Sequence, residues 1–277
     1  MMASDIGARR FEGQVVFITG AARGQGRSHA LRLASDGADL VLCDVCSEFG
    51  STDYPGATFE DLQETVQMVE KATGRRVLAR QADVRDLDAM QSLADEAMSE
   101  FGRLDVVVAN AGVMSAGRAW ELTPEQWKDV IDVNLTGTFY TLKAAVPAMI
   151  SAGNGGSIIV ISSAAGRKGT PFAAHYSASK HGLVGLARTF ALELGEHDIR
   201  VNTVHPVGVA TLMVSGPTFP KLLAEVTLTI GPTYMNTLPY EFLQPEAVTN
   251  MVAWLAGDES RYCTGSQFVI DLGNTSR

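Results

Sequence analysis

Residues 14–19, Gln-Val-Val-Phe-Ile-Thr, form a short apolar run that ends directly in Gly20-Ala21-Ala22-Arg23-Gly24-Gln25-Gly26. Helical periodicity follows through Ala30, Leu31, Leu33 and Ala34. A buried strand that turns on glycines into an amphipathic helix needs a covered, parallel sheet around it, and this constrains the chain more than any other stretch. Glycines at such a turn let the backbone approach a pyrophosphate and hand it to the amides of the helix N-terminus. Their position between strand and helix, rather than their number, gives the signal its weight.

The next strand, Asp39-Leu40-Val41-Leu42-Cys43-Asp44, ends on a carboxylate about 20 residues past the glycine turn, where it would accept hydrogen bonds from an adenosine ribose. That carboxylate repels a 2′-phosphate, while Arg23 in the glycine turn would attract one. Asp44 carries more weight, because a carboxylate facing a dianion is costly and a spare guanidinium can turn to solvent. NAD is therefore expected rather than NADP. Asp44 could equally cap a turn, and Arg23 could be a solvated loop cation. From Val45 to about Ala57 no periodicity is visible before Leu62, Val66 and Val69 resume a helix. Loops this long inside α/β units are lids or binding loops, or tolerated surface insertions.

Strand 76–82 leads to Asp83-Val84, where a side chain could bond an adenine amine, and strand 104–109 runs into Asn110-Ala111-Gly112. A small glycine-bearing turn at the C-terminal end of a parallel strand is where an open α/β sheet places its ligand. A long helical stretch with Trp127, Val130, Leu135, Leu142 and Met149 carries Asn134 among its apolar positions. A buried amide needs partners, so Asn134 either ties neighbouring backbone or belongs to a proton relay. Strand 157–163 ends at Ser163, in reach of a substrate oxygen or tying off a loop. After strand 199–205, Pro206 stops the chain's extension. The segment from Val207 to Leu243 is irregular and apolar, with Lys221, Glu225 and Glu241 its only charges. It reads as the lid of an apolar pocket or as a subunit interface. A helix from Pro245 and a last strand, 267–271, complete seven strands alternating with helices in one domain.

Tyr176-Ser177-Ala178-Ser179-Lys180 puts a phenol and an ammonium on one helical face. A phenol titrates near 10, too high for a base at neutral pH. A cation at ~4 Å contributes at most about 4 kcal/mol at an effective dielectric near 20, enough to bring the phenol into working range before desolvation is counted. By itself the spacing is a common accident, a surface lysine one turn from a half-buried tyrosine; its place after Ser163 gives it meaning.

A chain of 277 residues with a formal charge of −9 and no basic cluster is not built to neutralise nucleic-acid phosphates or an anionic membrane. No apolar run approaches a bilayer span and Met1 to Phe11 has no apolar signal core, so a soluble, cytoplasmic protein is expected. The three cysteines make no disulfide framework. Cys43 and Cys46 straddle a strand end rather than opening a helix, and a zinc site would need a second pair, so they read as small core or loop thiols and no metal is expected.

The ordered set Thr19-Gly20-x-x-x-Gly24-x-Gly26, Asp44, Asp83, Asn110-Ala111-Gly112, Asn134, Ser163, Tyr176 and Lys180 resembles the short-chain dehydrogenase/reductase family over essentially the whole chain. The resemblance implies a Rossmann fold, with Tyr176 as acid/base and Lys180 holding the nicotinamide ribose and lowering the Tyr176 pKa. It further implies that Ser163 orients the reacting oxygen and that Asn134 supports a water relay, in a homotetramer. The cofactor set becomes Gly20, Arg23, Gly24, Gln25, Gly26, Asp44, Val45, Asp83, Val84, Asn110, Ala111, Gly112, Tyr176, Lys180, Pro206 and Thr211. One departure is that Pro206 is followed by Val207, with Gly208 one residue later than the family's Pro-Gly; Thr211 stays where a carboxamide contact is expected.

The run from Gly20 to His29, Asp44-Val45-Cys46, Tyr54-Pro55 and Arg80 to Asp86 are similar to the actinobacterial subgroup associated with the redox cofactor mycofactocin, labelled carveol dehydrogenases. That likeness implies an NAD that does not exchange, covered by the insertion and recycled by an external carrier. The expected activity is hydride transfer between NAD and an apolar secondary alcohol or ketone. The alternatives are an ordinary dehydrogenase exchanging free NAD(H), and a non-catalytic NAD-binding sensor, against which the intact Ser163, Tyr176 and Lys180 argue.

Overall fold

The structure, a computed structural model, describes residues 10–226, 228 and 230–276; the stretch read above for a signal core lies almost wholly outside them. Seven parallel strands form one sheet in the order β3-β2-β1-β4-β5-β6-β7. They are β1 (Val15–Thr19), β2 (Asp39–Asp44), β3 (Val77–Gln81), β4 (Val106–Ala109), β5 (Gly156–Ile161), β6 (Ile199–Pro206) and β7 (Gln267–Ile270). Among the described residues eight α-helices connect and flank them: α1 (Gly24–Ser35), α2 (Phe59–Thr73), α3 (Leu87–Phe101), α4 (Pro124–Ile131), α5 (Gly137–Ala152), α6 (Ala174–Leu194), α7 (Thr218–Glu225) and α8 (Pro245–Ala256). The doubly wound, single-sheet Rossmann architecture expected from the sequence is the one observed.

The period-two alternation of the strands divides the core in two. Val15, Phe17, Val41 and Val107 face one apolar layer shared with Met90 and Leu93 of α3, Leu142 of α5 and Leu183 of α6. Val16, Ile18, Leu40 and Val108 face the other, with Leu33 of α1, Leu62 of α2 and Val248 of α8. Both faces being covered, the central strands read as continuous apolar runs rather than alternating ones. No helix among the described residues is long and apolar enough to cross a membrane.

β1 pairs with β2 on one side and with β4 on the other. The connections leaving β1 and β4 therefore run to opposite sides, opening a crevice above their C-terminal ends. The β1 and β4 turns touch at its floor. Gly20 has φ +65°, and a Cβ there would lie 2.8 Å from Ala111 Cα. Thr19 Oγ1 accepts from the amides of Asn110 and Ala111, both at 3.1 Å, and Asn110 Nδ2 donates to Thr19 O at 2.9 Å. β6 runs one residue further than the sequence suggests, because Pro206 pairs with Ile270 and needs no donor there.

The helical stretch containing Asn134 is α4 and α5 joined by a π-helical turn at Asp132–Thr136. Such turns insert a residue into the helix and cluster at functional sites.

Candidate active site

The crevice is a cavity of about 680 Å³, within the ~300–1,000 Å³ typical of small-molecule and cofactor sites. Gly20, Arg23, Gly24, Gln25 and Gly26 line its β1 side. Asp44, Val45, Asp83 and Val84 line one end, and Asn110, Ala111, Gly112 and Thr211 are also on its wall. Pro206, Tyr176 and Lys180, read as cofactor contacts, are not on its wall. Lys180 stands behind Gly112: a Cβ at Gly112 would lie 3.6 Å from Lys180 Nζ and 3.3 Å from Asn134 Oδ1. A Cβ at Gly26 would lie 2.0 Å from Gly20 O, so the turn tolerates no side chain there. These bare backbones form a cradle shaped for a dinucleotide.

Asp44 is half-buried; its carboxylate accepts from Ala22 N and Cys46 N, both at 3.1 Å. Burial pushes its pKa up, against those two amides and the charge of Arg23. Asp44 thus does shape a turn, yet each oxygen keeps lone pairs for ribose hydroxyls. Arg23 has a use not foreseen in the sequence. Its guanidinium donates to Gly56 O at 2.8 Å and to Pro55 O, so it is committed to the insertion rather than offered to a 2′-phosphate. Asp83 likewise has another partner: Arg85 forks its carboxylate at 2.6–3.0 Å and holds its pKa down.

The insertion from Val45 to Ala57 touches both sides of the crevice. Besides the Arg23 bonds, Tyr54 Oη accepts from Met114 N at 3.1 Å, just past the β4 turn. Asp53 Oδ2 accepts from Thr218 N at 2.8 Å, the first residue of α7. Phe49, Thr52, Tyr54 and Gly56 all line the cavity. From the segment after β6, Leu212, Met213, Val214 and Phe242 line the same cavity, while Met235, Leu238 and Tyr240 are exposed.

Ser163 leaves β5 with its Oγ accepting from Ala165 N at 3.1 Å. His205 holds its backbone: Nδ1 donates to Ser163 O at 2.8 Å, which leaves Nε2 to accept from Thr203 Oγ1 at 2.8 Å. Burial lowers His205 to about 4, so it is neutral. Its position on a buried strand gave no signal in the sequence.

Asn134, fully buried, accepts from Val113 N at 2.8 Å and donates to Val113 O at 2.9 Å and Ser179 Oγ at 3.2 Å. Ser179 Oγ in turn donates to Tyr176 O at 2.8 Å. The amide ties the β4 turn to α6, the helix that carries Tyr176 and Lys180.

Lys180 is 3% exposed, and its Nζ donates to Ile161 O at 2.9 Å. Burial pulls its pKa down to about 7. Nζ lies 5.4 Å from the Tyr176 ring centroid. Burial pushes the Tyr176 phenol up, and the nearby Ser163 hydroxyl offsets part of that. Burial thus acts on the two groups in opposite directions, raising the phenol and lowering the ammonium.

A dinucleotide cradle at a topological switch point, beside half-buried Ser163 and Tyr176 and buried Lys180, defines a nucleotide-dependent oxidoreductase. The sequence family described as enoyl-(acyl carrier protein) reductase matches residues 20–275. An NAD-dependent oxidoreductase of Mycobacterium tuberculosis whose role is uncharacterised is 53% identical over 268 residues, 94% of this chain and 95% of that one. The (-)-trans-carveol dehydrogenase of Rhodococcus erythropolis is 42% identical over 274 residues, 96% and 99% of the two chains. The crystal structure of a short-chain dehydrogenase from Mycobacterium paratuberculosis bound to NAD superposes with a TM-score of 0.94 at 45% identity, covering 97% of this chain and 100% of that one. The chain belongs to the short-chain dehydrogenase/reductase family, and within it to the carveol dehydrogenase-like members. It is an NAD-dependent enzyme.

Among the described residues no group of three or more His, Cys, Asp or Glu is arranged to hold a metal. Cys43, Cys46 and Cys263 are free thiols.

Proposed function

We propose that the protein oxidises apolar secondary alcohols, or reduces the matching ketones, with an NAD that stays bound through many turnovers and is recycled in place by an external redox carrier. The observation carrying this reading is the double bridge of the insertion, to the β1 turn through Arg23 and to the β4 turn through Tyr54. A linear dinucleotide lying between those turns would be encircled, and leaving would require both bridges to open. A domain division follows from it: one catalytic domain, with the insertion near 45–57 as cofactor cover and the apolar segment near 207–243 as substrate lid.

When bound, NAD supplies the hydride acceptor at its nicotinamide ring. Tyr176 Oη, as phenolate, takes the hydroxyl proton of the alcohol, and Ser163 Oγ holds the same oxygen. Lys180 supplies positive charge behind the phenol. Because burial brings Lys180 to about 7, the strength of the base depends on what keeps that ammonium charged, the Ile161 carbonyl among them. Leu212, Met213 and Phe242 give the substrate an apolar wall, which favours cyclic or terpenoid alcohols. Carveol dehydrogenation by a relative supports that class. A cytoplasmic homotetramer is proposed on the family resemblance alone.

The test is to purify the protein without added nucleotide, quantify NAD after denaturation, and assay apolar secondary alcohols with free NAD and with an artificial electron acceptor. Near-stoichiometric NAD with turnover only through the acceptor is expected. An empty protein that turns over with free NAD would establish an ordinary exchanging dehydrogenase.

A further inference from the structure

The insertion contains one large apolar side chain in the polar run Ser47-Glu48-Phe49-Gly50-Ser51-Thr52-Asp53. Phe49 is half-buried and lines the cavity at the end marked by Asp44, Ala82, Asp83 and Val84. Asp44 and Gln81 are register partners at the C-terminal ends of β2 and β3, so this is the end of the crevice away from Lys180 and Tyr176. We propose that Phe49 is the stacking wall for the purine base of the dinucleotide, with Val84 facing it across the slot.

Several contacts fix the ring where a ligand wall is needed. Asp44 Oδ1 accepts from Cys46 N at 3.1 Å, and Cys46 takes the left-handed conformation with φ 49°, which turns the chain back over the strand ends. Thr52 N and Thr52 Oγ1 both donate to Phe49 O at 3.1 Å. The Arg85 guanidinium lies 4.9 Å from the Phe49 centroid and is itself held by Asp83 and Asp129. A ring backed by a pinned cation has that side filled. Val84 is 6% exposed and wedged against Gly137, where a Cβ would come within 2.5 Å of its Cγ2. Two apolar surfaces held by these contacts thus meet the cavity where the ribose carboxylate predicts the base.

The polar side of the slot fits the same assignment. With its carboxylate forked by Arg85 and its Oδ1 also accepting Arg85 N at 2.9 Å, Asp83 has little capacity left for an adenine amine. Base recognition at this end therefore falls to stacking, which any purine face satisfies.

The inference rests on the insertion being a cofactor cover, and its test separates the two. Nucleotide-stripped protein is titrated with NAD, AMP and nicotinamide mononucleotide, in wild type and in Phe49→Leu and Phe49→Trp variants. Phe49→Leu keeps an apolar anchor without an aromatic face. It is expected to weaken AMP and NAD by roughly 5- to 150-fold, from the 1–3 kcal/mol typical of base–aromatic stacking. Nicotinamide mononucleotide is expected to stay within twofold, and Phe49→Trp to bind AMP at least as tightly as wild type. Unchanged AMP binding in Phe49→Leu, or an equal loss for both mononucleotides, would overturn the assignment. If wild-type protein releases NAD freely, the cover reading fails while the AMP contrast still decides the role of Phe49.

Discussion

Replacing Arg23 by Met should convert a slowly released NAD into a readily exchanging one. The guanidinium makes two hydrogen bonds to insertion carbonyls, Gly56 O at 2.8 Å and Pro55 O. Hydrogen bonds to a charged donor contribute about 1.5–3 kcal/mol each, but the Pro55 carbonyl is exposed and regains water. A net loss of about 1.5–3 kcal/mol for the bridge is the reasonable range, and at about 1.4 kcal/mol per decade this is roughly a 10- to 100-fold faster opening. Release is followed by trapping dissociated NAD with excess labelled nucleotide and counting uptake over time. Arg23 also lines the cavity, so direct contact with the ligand must be separated from the bridge. A variant with residues 45–57 replaced by a short turn does this as a double-mutant cycle. In that background Arg23→Met should have little further effect on release. An unchanged release rate in the single variant, or an undiminished effect in the shortened background, would refute the bridge.

Tyr176→Phe should lower kcat by about 10²–10⁴ in proportion to the lost proton transfer, with NAD content unchanged; survival of turnover would displace Tyr176 as the base. Asn134→Ala should lower the melting temperature, since it orphans the buried amide and carbonyl of Val113 at about 1–3 kcal/mol each. Asn134→Asp should recover part of that loss by restoring the acceptor, and equal melting of all three proteins would remove Asn134 as the tie. Lys180 titrates at about 7 in the fold against an ordinary 10.5. Between those values the unfolded chain binds the extra proton, so nucleotide-free protein should gain stability as pH rises from 7 toward 10. Denaturant unfolding across that window should show the rise in wild type and a flatter profile in Lys180→Met.

The β1 strand, glycine turn, α1 and Asp44 spacing carried most of the fold, because a parallel sheet buried on both faces leaves few other ways to arrange such a run. The crevice side chains that come from strand ends were legible for the same reason: their position follows from the strand order. Contacts between segments far apart in sequence were not. Nothing local marks Arg23 as the partner of Pro55, or His205 as the support of Ser163. Tyr54-Pro55 drew notice only through the carveol dehydrogenase likeness. The π-helical turn at Asn134 was read as plain helix, since its apolar spacing stays close to helical. For Tyr176 and Lys180, side-chain spacing gives the attraction between two groups, and only the packed structure gives the desolvation that opposes it.

The account stands or falls on whether NAD remains in place while the enzyme works. Protein carrying labelled NAD is run through many turnovers of an apolar secondary alcohol with an artificial electron acceptor, in a large excess of unlabelled NAD. The label left on the protein is then counted. Retention of most of the label after many turnovers is the predicted result. Its loss within the first few turnovers would contradict the account and make the insertion an ornament on a freely exchanging dehydrogenase.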